Sequence, residues 1–403
     1  MTATFAWLDY SERDRRRALD VVDLLRETST VDELGLGTVR DAFADLLFPG
    51  TSTIQTRARY FLFVPWVYLE LERLRVPSVR ISYRSRRVEI ALIDALAESG
   101  DRQGVIGIQA RGTLKRLPSN VYWNGLLSWR IRRFPGSQPQ YHHSLDPFYS
   151  SPSRVLVDDD RSPAGGTAPT NWDPNLPPAP RGFPRGATFQ LTADEAAYLR
   201  ERIIVMHRDS LLAFLVDEGE MTDTRFAWEY PRHRAFREPF REQLLHARFF
   251  SEGMHGAQLL YNLMLADAVK NDAWSQAFLE ALDEWGQLIT LRRRAFADWD
   301  RRQFWVIAVE GGARVTPRTR GFIDRWLDLA LGSKAPSRIA DMPDARGLVL
   351  HREHELKGSR ARLQNRHALL LWRGDAGSRQ MDYRWLVAKT IVNDILGGLR
   401  TGA

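Results

Sequence analysis

Eleven of the chain's 20 prolines fall between positions 135 and 188, and this clustering constrains the fold more than any other feature. Proline cannot donate to a helix or sheet ladder, so a stretch this dense predicts a linker or a long ordered loop. It also carries Tyr141, Phe148, Tyr149, Trp172 and Phe183. A free tether is poor in aromatic rings, so the expectation is a strap pinned along a folded surface, with its mobile point at 162–169.

On both sides of the strap, apolar residues recur at helical spacing. Upstream, helices are expected from Ser11, over 38–47, and from Thr51 or Ser52 through IQTRARYFLFV, where Pro65 kinks or ends the helix before WVYLELERL resumes. Three more are expected over 87–98, 104–117 and 119–134. Downstream, Thr192 followed by Glu195 reads as a capping box at a helix start. Further helices are expected over 239–269, 274–297 and 317–331. ARGLVLHRE and RHALLLWRG are the best hairpin candidates. The expected fold is mainly α and multi-helical: a helical domain over 1–136, a proline-rich strap or linker over 137–187, and a helical domain over 188–403 with at most short β-hairpins near the C-terminus.

Composition removes several chemistries. With no cysteine there is no disulfide, thiolate metal site or cysteine nucleophile. The glycine-rich phosphate loop, the dinucleotide fingerprint and the Gly-x-Ser-x-Gly elbow are missing, so no cofactor is expected. Met206-His207-Arg208-Asp209 contains a kinase-like tripeptide without the glycine-rich loop that kinases need. No apolar run is long enough to span a bilayer, and the N-terminus lacks a signal-peptide pattern, so a cytoplasmic protein is expected.

Metal chemistry has weak support. Glu252 and His255 are three apart on one helical face, but a di-metal site needs two such pairs and further carboxylates. His351, His354 and Glu355 do not match the peptidase order. His142-His143 and Asp158-Asp159-Asp160 lie in the strap, where nothing fixes their geometry.

The net charge of +7 points to an acidic partner, with nucleic acid the usual one. Only five of the 57 basic residues are lysine, a skew that coding bias alone produces, so local clustering matters more than the total. Three clusters stand out. After the Pro49-Gly50 break, the expected helix offers Thr51, Ser52, Gln55, Arg57 and Arg59, the types a recognition helix presents near its start. A second group is Arg111, Lys115, Arg116, Arg130, Arg132 and Arg133 around a Leu-Pro turn. The third is Lys357, Arg360, Arg362 and Arg366 around Gly358-Ser359.

AWLDYSERDRRRALDVVDLL, DELGLGTVRDAFADLLFPGTSTIQTRARYFLFVPW, LKRLPSNVYWNGLLSWRIRRF, LQNRHALLLWRG and MDYRWLVAKTIVNDIL together resemble an uncharacterised bacterial family known only as a domain of unknown function. The resemblance spans essentially the whole chain. It implies genes placed beside helicase and phospholipase-D-like nuclease genes in phage-defence islands, and it supplies no catalytic residues to carry over. The expected role is a non-catalytic, nucleic-acid-engaging subunit of an antiviral complex, with DNA and a helicase or nuclease subunit as partners. The alternatives are a scaffold that binds protein alone and a metal-dependent nuclease.

Overall fold

The computed structural model describes residues 32–150 and 170–401; the helix expected from Ser11, the Asp158–Asp160 triplet and 162–169 lie outside them. The described residues are mainly helical and contain no strand, only an isolated bridge between Arg132 and Trp172. In chain order the helices are α1 (Gly37–Leu47), α2 (Tyr60–Arg73), α3 (Ser78–Glu98), α4 (Pro118–Ser128), α5 (Gln138–Ser150), α6 (Ala193–His207), α7 (Leu211–Glu218) and α8 (Phe240–Val269). They continue as α9 (Asp272–Leu291), α10 (Arg293–Ala297), α11 (Arg301–Glu310), α12 (Pro317–Gly332), α13 (Pro343–Lys357), α14 (Arg366–Leu370) and α15 (Trp385–Arg400). No described helix is long and apolar enough to cross a membrane.

The chain divides into two compact units, each built from two stretches. The first unit is Met1–Ala42 with His246–Met381; the second is Phe43–Leu245 with Asp382–Ala403. Residues 43–136 and 188–245 therefore share a unit, together with the described parts of the proline-rich segment, 137–150 and 170–187. Cross-links explain why: Arg59 reaches Glu195, and Arg202 Nε donates to the Trp129 carbonyl at 3.2 Å.

In the second unit, α2 is buried from Tyr60 to Tyr68 and again at Leu71. Phe61 stacks on Trp129 with centroids 3.8 Å apart, and Tyr68 stacks on Trp172 at 5.8 Å. Trp172 donates from Nε1 to Glu72 at 3.0 Å and the Tyr141 hydroxyl donates to the same oxygen, so two strap aromatics converge on one half-buried carboxylate. Burial raises the Glu72 carboxyl, against these donors. The strap is not free of helix: α5 runs through Pro147, with Pro139 in its first turn where an amide would lack a partner anyway. α15 packs on α6 and α7, and a Cβ at Gly398 would lie 2.8 Å from those of Ala196 and Leu191.

Helix α2 starts at Tyr60 instead of Thr51 because the preceding amides are taken by partners distant in sequence. Thr56 N and Arg57 N donate to the Tyr122 hydroxyl at 2.8 and 3.1 Å, and Ala58 N donates to Asp394 at 2.9 Å. The helix then continues through Pro65 to Arg73 without ending. Residues 104–117 hold only a 3-10 turn at Arg111–Thr113. Both hairpin candidates are helical. Pro343 at the first position, Asp344 in the first turn, and Lys357 and Gly358 at the end mark α13 at both termini, and these signals outweigh the short apolar run of ARGLVLHRE. RHALLLWRG begins with α14, capped by Asn365, whose side chain accepts from Ala368 N.

In the first unit, α8 carries Phe249 and Phe250 against Phe296 and Phe304 at 5.0 and 5.1 Å. Trp285 and Trp326 donate from their indoles to the Glu252 and Gly253 carbonyls. A buried polar knot joins Glu33, Tyr261 and Glu353 to Lys357 and Arg362. Burial beside Glu33 and Glu353 pushes the Tyr261 phenol up, which keeps it a hydrogen donor.

Candidate nucleic-acid interface

Most of the basic residues singled out from the sequence are bound within the protein. Thr51 is buried and donates to the Phe48 carbonyl at 2.6 Å. Ser52 N donates to Gln55 Oε1, and Gln55 Nε2 donates to the Gly50 carbonyl, so these side chains lock a turn and do not project from a helix. Arg57 holds Asp394 through Nε at 3.0 Å and Asp101 through Nη1 at 2.7 Å, with its guanidinium 4.5 Å above the Phe189 ring. Arg59 is 7 % exposed and pairs with Glu195 at 2.7 Å.

The second cluster divides. Arg132 is 1 % exposed and donates to the carbonyls of Trp123, Phe134 and Gly136; burial lowers it to about 10. Arg133 pairs with Asp173 at 3.3 Å. Arg130 is exposed in a left-handed backbone conformation. Arg111 is exposed but leans on Asp94 at 3.0 Å, Lys115 is exposed, and Arg116 is half-buried. In the third cluster, Lys357 and Arg362 belong to the polar knot around Glu33, while Arg360 and Arg366 are exposed.

The metal-type groupings do not converge. Glu252 is held by Arg248 and Arg292, and His255 Nε2 lies 3.0 Å from the Ser378 carbonyl. His207 meets Ser128 Oγ at 2.9 Å, and His142 meets the Tyr68 hydroxyl at 3.1 Å, where burial lowers the imidazole to about 4. Among the described residues no group of three or more histidine and carboxylate side chains could hold a metal ion.

An arginine row that the sequence reading passed over stands on α3. Arg80, Arg84 and Arg87 follow at i, i+4 and i+7 and share one exposed face. None of them forms an ion pair among the described residues. Exposed Tyr83 lies between them and exposed Val79 just before them, and the Arg87 guanidinium sits 5.8 Å from the Tyr83 ring. Arg86, on the flank, donates to the Leu114 and Gly112 carbonyls at 2.9 and 2.7 Å. That pair of bonds docks the loop bearing Arg111 and Lys115 against α3.

The charge order on α3 runs against the helix dipole, which favours acids at the start and bases at the end. Here Arg80 sits in the first turn and Asp94 and Glu98 near the end, and the first turn itself contains no acid. The start is capped from α5: Ser78 N donates to Asp146 at 2.9 Å, and Asp146 N donates to Ser78 Oγ.

No curated protein and no solved structure matches the chain. Residues 2–398 match a family of unknown function, DUF6361, and the chain belongs to that family.

Proposed function

We propose that this protein is a non-catalytic, nucleic-acid-binding subunit of an antiviral complex, and that it engages the phosphate backbone through α3. The observation that carries the reading is the exposed row Arg80, Arg84 and Arg87, which forms no ion pair among the described residues, with Tyr83 among them and Lys115 exposed on the loop that Arg86 holds to the same helix. Guanidinium groups spaced along a helix neutralise successive phosphates, and an interleaved ring offers a face for stacking. Of the three clusters foreseen from sequence, only the exposed members, Arg111 and Lys115 foremost, keep a place in this reading.

The test is a salt titration of binding, by fluorescence anisotropy, for the natural chain and for the triple reversal Arg80→Glu, Arg84→Glu and Arg87→Glu. These side chains are exposed, so the fold is kept, as circular dichroism would report. The natural chain should bind with a slope of about 0.9 per phosphate contact on duplex. The triple variant should lose binding at moderate salt. Unchanged binding would remove α3 from the interface.

A scaffold that binds protein alone is the second reading, favoured by Leu370 and Leu371, which are 69 % and 68 % exposed at the end of α14. It predicts that Leu370→Glu releases a protein partner while nucleic acid is unaffected.

A further inference from the structure

Beside the arginine row lies a cleft of about 440 Å³ between α2, α3 and the turn at Phe183-Pro184. Trp66, Leu71, Leu74 and Phe183 form its apolar walls, and Arg80 and Arg84 stand in its lining. The Trp66 and Phe183 rings meet edge to face at 5.3 Å, and the Trp66 indole donates to the Pro177 carbonyl at 2.7 Å, so the aromatic wall is fixed in place. Glu70 is the one acid in the lining, and Arg73 holds both of its oxygens, at 2.7 and 2.8 Å. The cleft therefore presents apolar walls under a positive edge.

We infer that this cleft takes one unstacked base of single-stranded DNA while Arg80 and Arg84 hold the phosphates on either side of it. The inference rests on the reading of α3 as the phosphate-binding face. Two features select a single strand. Bases in a duplex are stacked and paired, so none can enter a side cleft without first being flipped out. In a single strand each base has a free face, and stacking on an aromatic wall beside a charged groove is how such strands are held. The volume suits a small planar group, within the range of ordinary ligand clefts. DNA is favoured because, apart from Glu70 and the two arginines, the lining side chains are hydrocarbon or indole. They offer the 5-methyl group of thymine a contact and a 2′-hydroxyl none.

Leu74→Trp separates the two readings. Leu74 lines the cleft and is 56 % exposed, so a larger side chain there fills the space without disturbing the core. The probes are an oligo-dT strand, an oligo-rU strand and a duplex of equal length. The full chain should bind oligo-dT at least tenfold more tightly than either of the others. Leu74→Trp should weaken oligo-dT at least tenfold and leave the duplex within twofold. A 2-aminopurine placed in the strand should be quenched on binding, and Leu74→Trp should relieve the quenching. Equal affinity for strand and duplex, tighter binding of oligo-rU, or an unaltered Leu74→Trp would overturn the base-in-cleft inference, while a still-damaging triple arginine reversal would leave the α3 reading standing. Binding that survives the triple reversal would overturn both.

Discussion

Arg59 Nη2 donates to Glu195 Oε1 at 2.7 Å, while the other oxygen of that carboxylate accepts from the Thr192 amide at 3.1 Å. One acid thus closes the capping box of α6 and neutralises a buried guanidinium 136 positions away. Removing one partner of a buried pair costs about 3–5 kcal/mol, because the other charge is left uncompensated. Arg59→Ala should lower the urea midpoint accordingly and leave the salt slope of nucleic-acid binding unchanged. A changed slope with normal stability would return Arg59 to the interface.

Glu89 lies wholly buried on α3, accepting from the Ser119 amide and hydroxyl at 2.8 Å. Burial pushes its carboxyl up from an ordinary 4.5 to about 7. Between those two values the folded chain keeps a proton that the unfolded chain has released. Stability therefore falls as pH rises through that window and is flat above it. At about 1.4 kcal/mol per pH unit the loss is about 3 kcal/mol. Glu89→Gln removes the titration, so the difference in denaturant stability between pH 4.5 and 8 should shrink by that amount. An equal pH dependence in both proteins would show that Glu89 titrates normally.

Gly125 sits where α4 crosses the turn at Gly50. A Cβ there would lie 2.4 Å from the Gly50 carbonyl oxygen and 2.9 Å from both Gln55 Nε2 and the Phe61 ring. Backbone cannot yield as a flexible side chain can, so Gly125→Ala should cost about 1–3 kcal/mol despite alanine's better helix propensity. Thermal melts of the two proteins give the answer directly.

The knot around Glu33 predicts a coupling. Lys357→Met leaves Glu33 and Glu353 facing each other without their shared cation and should cost about 3 kcal/mol. Adding Glu33→Gln should recover part of it, since residues in one network are not additive. Additive losses in the double-mutant cycle would mean that the pairs act independently.

The helical character of the chain was legible because long helices advertise themselves at both ends. Thr192 and Glu195 cap α6 as expected from their spacing, and α8 and α12 fall within a residue or so of their expected bounds. Thr51–Arg59 was not legible. Its polar, helix-compatible residues are drawn into a loop by Tyr122 and Asp394, which are 65 or more positions away, and no local window contains that information. The same cause hid which of the basic residues are engaged within the protein. Arg57 and Arg59 look like phosphate ligands until Asp394 and Glu195 are placed beside them. The arginines of VRISYRSRR are a different case: Arg86 is tied to backbone carbonyls, while Arg80, Arg84 and Arg87 are exposed and form no ion pair among the described residues. Their i, i+4, i+7 spacing on one helix face is readable in the sequence; which of the arginines find partners is not.

The bond between Arg57 and Asp394 spans 337 positions, and this has a consequence for synthesis. Residues 43–245 leave the ribosome well before α15, and at roughly 5–20 residues per second the wait lasts on the order of ten seconds. During that interval the surfaces of α6 and α7 that α15 will cover, and the guanidinium that Asp394 will neutralise, are open to whatever else is present in the cell. A nascent chain of this protein therefore carries those surfaces uncovered until α15 emerges, and a stop codon before residue 385 would leave them uncovered permanently.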